Sequence, residues 1–126
     1  MRGAPAIGIA AAYGYYLCAN AYREDEDLFR RMDDAERYLA SARPTAVNLT
    51  WGLSRMRGCL KRCALLPRAE LIAELRREAV SIHEEDIANN RRIAEFGLGL
   101  LKEGDGVLTH CNAGPIATSR YGTAIG

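Results

Sequence analysis

Three places in this sequence combine residue types that could do chemistry. The first is Cys111. It closes a short apolar run, Val107-Leu108-Thr109-His110-Cys111, and precedes Asn112-Ala113-Gly114-Pro115. The run reads as a buried strand, the Asn-Ala-Gly-Pro segment as a loop, and a helix is expected from Ala117 or Ser119. In open α/β sheets, ligands bind outside the carboxyl ends of strands. The free N–H groups and dipole of a following helix would stabilise a thiolate there. Cys111 could then serve as an acid, a base or a stabiliser of developing charge. The plainer reading is a small buried residue ending a strand. His110 is adjacent, but neighbouring strand residues point to opposite faces, which argues against a Cys–His ion pair.

The second place is Arg2-Gly3-Ala4-Pro5. Glycine lets a backbone approach a ligand closely, a helix N-terminus attracts anions, and arginine adds a two-pronged contact to a phosphate. The stretch is a reasonable phosphate cradle but not a specific one, and on the residues alone a plain Gly-Pro helix start is the better reading. The third is Arg43-Pro44-Thr45, between two expected helices. Arg43 could clamp the same anion, or it could cap a helix carboxyl end.

Other clusters read more simply. Cys59 and Cys63, four apart, share a helix face: half of a metal site, or small residues facing a core. The four cysteines form no CxxC pair and no zinc framework. Arg55, Arg57, Lys61, Arg62 and Arg68 are basic, but Glu70, Glu74 and Glu78 follow with no interleaved aromatic residue. A solvated face is the better reading than a nucleic-acid surface. Glu84, Glu85 and Asp86 could suggest a metal site or an acid–base pair, but on a long helix they are expected to face solvent or to pair with Arg91 and Arg92.

The elements that must hold these residues are mainly helical. Residues 5–22 read as a helix, apolar nearly all round and therefore buried, with Pro5 in its first turn. Gly8 and Gly14 cost it roughly 1 kcal/mol each relative to Ala, a cost that suggests close packing. Residues 25–42 form a second helix, in which Leu28, Met32, Ala35 and Leu39 make one stripe. Acidic residues are expected in its first turn, and Arg43-Pro44 ends it. A third helix is expected from Thr45 to Leu65, burying Leu49, Leu53, Met56 and Leu60. A fourth runs from Pro67 to Lys102, with Leu71, Leu75, Ile82, Ile93, Phe96 and Leu100 as core contacts. Glu103-Gly104-Asp105-Gly106 is a turn.

The expected fold is therefore α/β. An N-terminal helical block of about four helices, 1–104, leads into the first strand-loop-helix of a Rossmann-like parallel-sheet domain, 105–126, truncated. The abrupt opening and close suggest an internal fragment.

Composition sets bounds on function. The 126 residues are 48% hydrophobic and 26% charged, with a net charge of +1. These are ordinary values for a globular protein. They make no electrostatic case for nucleic acid or an acidic membrane. No apolar run approaches a membrane span, and the first residues do not resemble a signal peptide. A cytoplasmic setting with reduced thiols is expected.

Read together, RGAPAIGIAAAYG, ARPTAVNLTWGLSRM, NNRRIAEFG and LTHCNAGPIATSRYGTAIG resemble the methylthioribose-1-phosphate isomerases of methionine salvage, in that family's order and across the whole chain. The wider family includes ribose-1,5-bisphosphate isomerases and regulatory subunits of the eukaryotic translation-initiation exchange factor. The resemblance implies an aldose–ketose isomerase acting on a small sugar phosphate, 5-methylthioribose 1-phosphate. It implies no metal or organic cofactor, no nucleic-acid or membrane partner, and a homodimer when full length. It makes Cys111 catalytic and assigns phosphate binding to Arg2, Gly3, Ala4 and Arg43. The family's catalytic aspartate, a glutamine and an Asn-Lys pair correspond to positions past residue 126, and a small N-terminal domain to positions before residue 1, so the chain alone is expected to be inactive. Two departures stand out: Pro115 follows the HCNAG glycine, and Arg120 precedes Tyr-Gly-Thr. The alternatives are a bisphosphate sugar isomerase and a non-catalytic regulatory subunit binding a sugar phosphate or nucleotide. The intact RGAP motif and Cys111 weigh against the latter.

Overall fold

The computed structural model describes residues 3–23 and 27–126. Four helices carry the architecture: α1 (Ala4–Ala21), α2 (Leu28–Ser41), α3 (Val47–Arg62) and α4 (Arg68–Leu98). They fall where the apolar periodicity placed them, with shorter ends. Helix α1 is the hub and packs against α2, α3 and α4. Its small residues make that possible: Ala11, Ala12 and Ala19 are buried with Ile7, Ile9 and Tyr15.

Helix α2 begins two or three residues later than its pattern suggests. Asp27 stands outside it as the N-cap, its Oδ1 accepting the Arg30 amide at 3.2 Å, a bond that satisfies one of the orphan donors of the first turn. Expected positions 25 and 26 lie outside the described residues. Leu28, Met32 and Ala35 are buried and Leu39 packs against the core. Helix α3 ends with Lys61 and Arg62 in its last turn, where the dipole favours cations.

Helix α4, with 31 residues, is roughly 46 Å long. Its first half buries Leu71, Leu75, Ala79 and Ile82. Its second half outruns the block. Ile93, Phe96 and Leu100, expected in the core, are 50%, 77% and 83% exposed, because α1 and α3 do not extend far enough to cover them. The helix closes at Leu98.

The α/β expectation is overturned. Among the described residues there is no strand, and no Rossmann-like strand-loop-helix unit follows α4. Leu108 is 99% exposed, and Cys111 has φ +71°, which breaks an extended run. A strand is held by hydrogen bonds to another strand, and the described residues offer none. The helix expected from Ala117 or Ser119 is a single 3-10 turn, α5 (Pro115–Ala117), after which Tyr121 and Gly122 take φ values of +69° and +93°. Left-handed residues in succession do not continue a right-handed helix.

Candidate functional site

The start of α1 is the meeting point: the loop after Cys111 rests on it at Gly3, and the start of α3 touches it at Gly8. Gly3 is the N-cap of α1, with φ −70° and ψ 137°, and its carbonyl accepts the Ile7 amide at 2.9 Å. A Cβ at Gly3 would lie 2.3 Å from Ala117 Cα. Glycine is required here because the α5 turn rests directly on the start of α1. The start of α1 at Gly3 and the segment following Cys111 are thus in backbone contact. Ala4 is exposed at the first helical position. Arg2 lies outside the described residues.

The start of α3 comes to the same region. A Cβ on Gly8 would meet the Asn48 carbonyl oxygen at 2.5 Å, so the first turns of α1 and α3 touch. A cleft of about 390 Å³ opens beside this contact, lined by Pro5 and Ile9 of α1, Val47, Asn48 and Trp51 of α3, and Ile82, Glu85, Asp86 and Asn89 of α4; Gly3, Ala4, Arg43 and Cys111 do not line it. Arg43 sits in the turn leading to α3. It is exposed, and its carbonyl accepts the Ala46 amide at 2.9 Å. Ala42 rather than Arg43 is the C-cap of α2. Among the described residues the Arg43 guanidinium has no carboxylate partner, which leaves it available to an anion.

Cys111 is exposed, as is His110. Its position differs from the sequence expectation: it sits in a left-handed loop rather than at a strand end. A non-glycine residue in that region is uncommon, and such conformations cluster at functional sites. The loop beyond it is orderly. The Gly114 amide donates to Asn112 Oδ1 at 3.0 Å, and the Thr123 amide to the Ala113 carbonyl at 2.9 Å. At Gly122 (φ +93°) a Cβ would lie 2.4 Å from the Ala113 oxygen, so only glycine closes the loop. Ala113, Ala117 and Thr118 are buried.

Sequence reasoning passed over the residues that fasten this loop. Asp86 was expected to face solvent or pair with Arg91 or Arg92. Its Oδ2 instead accepts the Ser119 amide at 2.9 Å, the Ser119 hydroxyl, and Asn90 Nδ2 at 3.1 Å. Asn90 is only 3% exposed. A polar residue on the core-facing side of a long helix was the available signal. Nearby, Tyr13 and His83 Nδ1 share a hydrogen bond of 3.1 Å.

The other acidic neighbours are structural. Glu85 takes a two-pronged contact from Arg55, at 2.5 and 2.7 Å, and Arg55 Nε reaches Glu78 at 2.5 Å. The hydrogen bonds from Arg55 hold the Glu85 carboxyl down at about 2. The basic stretch is therefore partly neutralised from α4. Cys59 is buried, and burial pushes its thiol up. Among the described residues no group of three His, Cys, Asp or Glu is gathered as metal donors would be, and no helix is long and apolar enough to cross a membrane.

The described residues thus form a four-helix block whose first helix start, at Gly3, is covered by the loop that follows Cys111. The chain belongs to the Initiation factor 2 subunit family, whose model matches residues 1–121. It is 54% identical over 127 aligned positions to a methylthioribose-1-phosphate isomerase of Symbiobacterium thermophilum, covering 99% of this chain and 35% of that protein. A 5-deoxyribose 1-phosphate isomerase of Clostridium botulinum is 49% identical, covering 98% and 36%. Among solved structures, 5-methylthioribose 1-phosphate isomerase from Pyrococcus horikoshii superposes with a TM-score of 0.89 at 38% identity, covering 97% and 35%. The delta subunit of translation initiation factor eIF-2B from A. fulgidus gives 0.85 at 41% identity, covering 99% and 37%. The chain thus spans little more than a third of the length of the relatives it matches.

Proposed function

We propose that this chain is the phosphate-binding and thiol-bearing part of an aldose–ketose isomerase that converts 5-methylthioribose 1-phosphate into 5-methylthioribulose 1-phosphate. The observation that carries the reading is the contact of Gly3 with Ala117, which joins the Arg2-Gly3-Ala4 motif to the Cys111 loop. Arg2, the backbone of Gly3 and Ala4, and Arg43 hold the phosphate. The position of Gly3 and Ala4 at the N-terminus of α1, where free amides attract anions, supports that role.

The reaction is redox-neutral. The bond between C1 and the ring oxygen breaks and the ring oxygen takes up a proton to become a hydroxyl; the hydrogen on C2 moves to C1, and the C2 hydroxyl gives up its proton to become a carbonyl, so that one proton is taken up for each one released. Because the C1 oxygen carries phosphate, the ring does not open as a free hemiacetal, and protein groups must manage the shift. Cys111 serves as an acid, a base or a stabiliser of the developing charge, together with an aspartate that the resemblance assigns to positions past residue 126. The resemblance requires no metal or cofactor.

A 5-deoxyribose 1-phosphate substrate is the second reading, favoured by the Clostridium botulinum relative. The two sugars share the C1 phosphate and differ in the group at C5. The test is turnover by the full-length protein on each sugar phosphate, ribose 1,5-bisphosphate included, followed by NMR. Cys111→Ser should retain substrate binding while kcat falls by about two orders of magnitude, the scale of one lost acid–base or charge-stabilising group. A near-normal kcat in that variant would reduce Cys111 to packing. The absence of turnover on all three sugars would leave the regulatory-subunit reading in its place.

A further inference from the structure

We propose that Asp86 is a positioning residue: by accepting hydrogen bonds from Ser119, it holds the Cys111 loop against the start of α1. The proposal rests on the isomerase reading of Cys111 and adds a group that the motif comparison did not single out.

The segment after α4 has little means of its own to hold a shape. Its one regular element is the α5 turn, and its internal bonds, such as Thr123 to Ala113, join loop to loop. Among the described residues, Ser119 makes the hydrogen bonds that tie this segment to the helices. Its amide and hydroxyl both reach Asp86 Oδ2, and its hydroxyl lies 3.5 Å from the His83 carbonyl oxygen. Ser119 is two positions beyond Ala117, the residue that rests on Gly3. Fixing Ser119 therefore fixes Ala117 over the phosphate motif.

Asp86 is itself held. Buried Asn90 donates to its Oδ2 at 3.1 Å and to its backbone carbonyl at 2.9 Å, so one carboxylate oxygen stands between a fixed helix and the loop. An ionised carboxylate accepts from several donors at once, and such charge-assisted bonds are stronger than neutral ones. Asp86 acts through Ser119 and the loop backbone, since its Oδ2 is taken up by the Ser119 amide and hydroxyl and by Asn90.

The experiment compares Asp86→Ala, Asp86→Asn, Ser119→Ala and the Asp86→Ala/Ser119→Ala pair in the full-length protein. Displacing a reactive group by about an ångström costs on the order of 100-fold in rate. Asp86→Ala should therefore lower kcat by about 100-fold with little change in KM, while Asp86→Asn, which still accepts hydrogen bonds, recovers most of the loss. The double variant should be no slower than Asp86→Ala, since both changes cut one connection. Amides of residues 111–122 should exchange faster in Asp86→Ala, with the α3 amides unchanged. A kcat within twofold of wild type in Asp86→Ala, or effects that multiply in the pair, would overturn the proposal. Should Asp86→Ala not fold, Ser119→Ala carries the test: about a tenfold lower kcat supports the role, and an unchanged kcat ends it. A wild-type protein with no turnover would remove the isomerase reading, and the exchange rates alone would then decide whether Asp86 fastens the loop.

Discussion

Gly8 and Gly52 bring the backbones of α1 and α3 into direct contact. A Cβ on Gly52 would sit 2.6 Å from the Gly8 carbonyl oxygen, and one on Gly8 would sit 2.5 Å from that of Asn48. This crossing sets how close the two helix starts lie, and with them the cleft between Pro5 and Asn48.

Gly52→Ala should therefore destabilise the protein, although alanine favours a helix by roughly 1 kcal/mol. The added methyl meets backbone, which cannot swing aside, and overpacking of this kind costs about 1–3 kcal/mol. Urea denaturation of the full-length protein should show a lower midpoint. An unchanged or higher midpoint would mean that the helices separate freely at this point.

The Arg55–Glu85 pair should make stability depend on pH in a defined window. The folded-state carboxyl lies at about 2, below the ordinary 4.5. Between these values the unfolded chain binds the proton more readily. The contribution is thus fully present above about 4.5 and is lost as pH falls toward 2. Because the Glu85 side chain is half exposed, solvent screening limits its worth to about 1 kcal/mol or less. Glu85→Gln should flatten the acid limb of a stability-against-pH curve in that window, and added salt should do so in part. Identical limbs in the two proteins would remove the pair from the acid response.

Arg43→Ala should raise KM for the sugar phosphate by about tenfold or more with little change in kcat. In the proposed role Arg43 contacts the phosphate equally in the ground state and the transition state, and the variant would delete that contact. Thermal stability should hold, because Arg43 is exposed and is not the cap of α2. A fall in kcat at constant KM would instead give Arg43 a part in the chemical step.

Much of the helical block could be read from spacing. Leu28, Met32 and Ala35 announce one face of α2, and all three are buried. Leu71, Leu75 and Ile82 do the same for α4. Periodicity failed at Ile93, Phe96 and Leu100, since it shows which residues share a face and not whether anything covers that face. It failed again at 107–111: an apolar run has the composition of a strand, but strand structure depends on a partner elsewhere in the protein. At the site, Gly3, Ala4, Arg43 and Cys111 stood out by residue type and motif, whereas Asp86 looked like one more surface acid.

What this sequence determines by itself is local. Pro5, Asp27 and Pro67 set helix starts, apolar spacing sets which faces turn inward, and the glycines mark points where backbone must come close. Helix propensity, capping and side-chain periodicity act over a few residues, so those instructions are complete within each segment. Tertiary structure alone decided that Gly3 would lie under Ala117, that Gly8 would meet Asn48, and that the Asp86 carboxylate would hold Ser119. Those contacts join residues from separate elements. They arise when the buried faces of α1, α3 and α4 pack to exclude water, a summed effect that no single segment encodes.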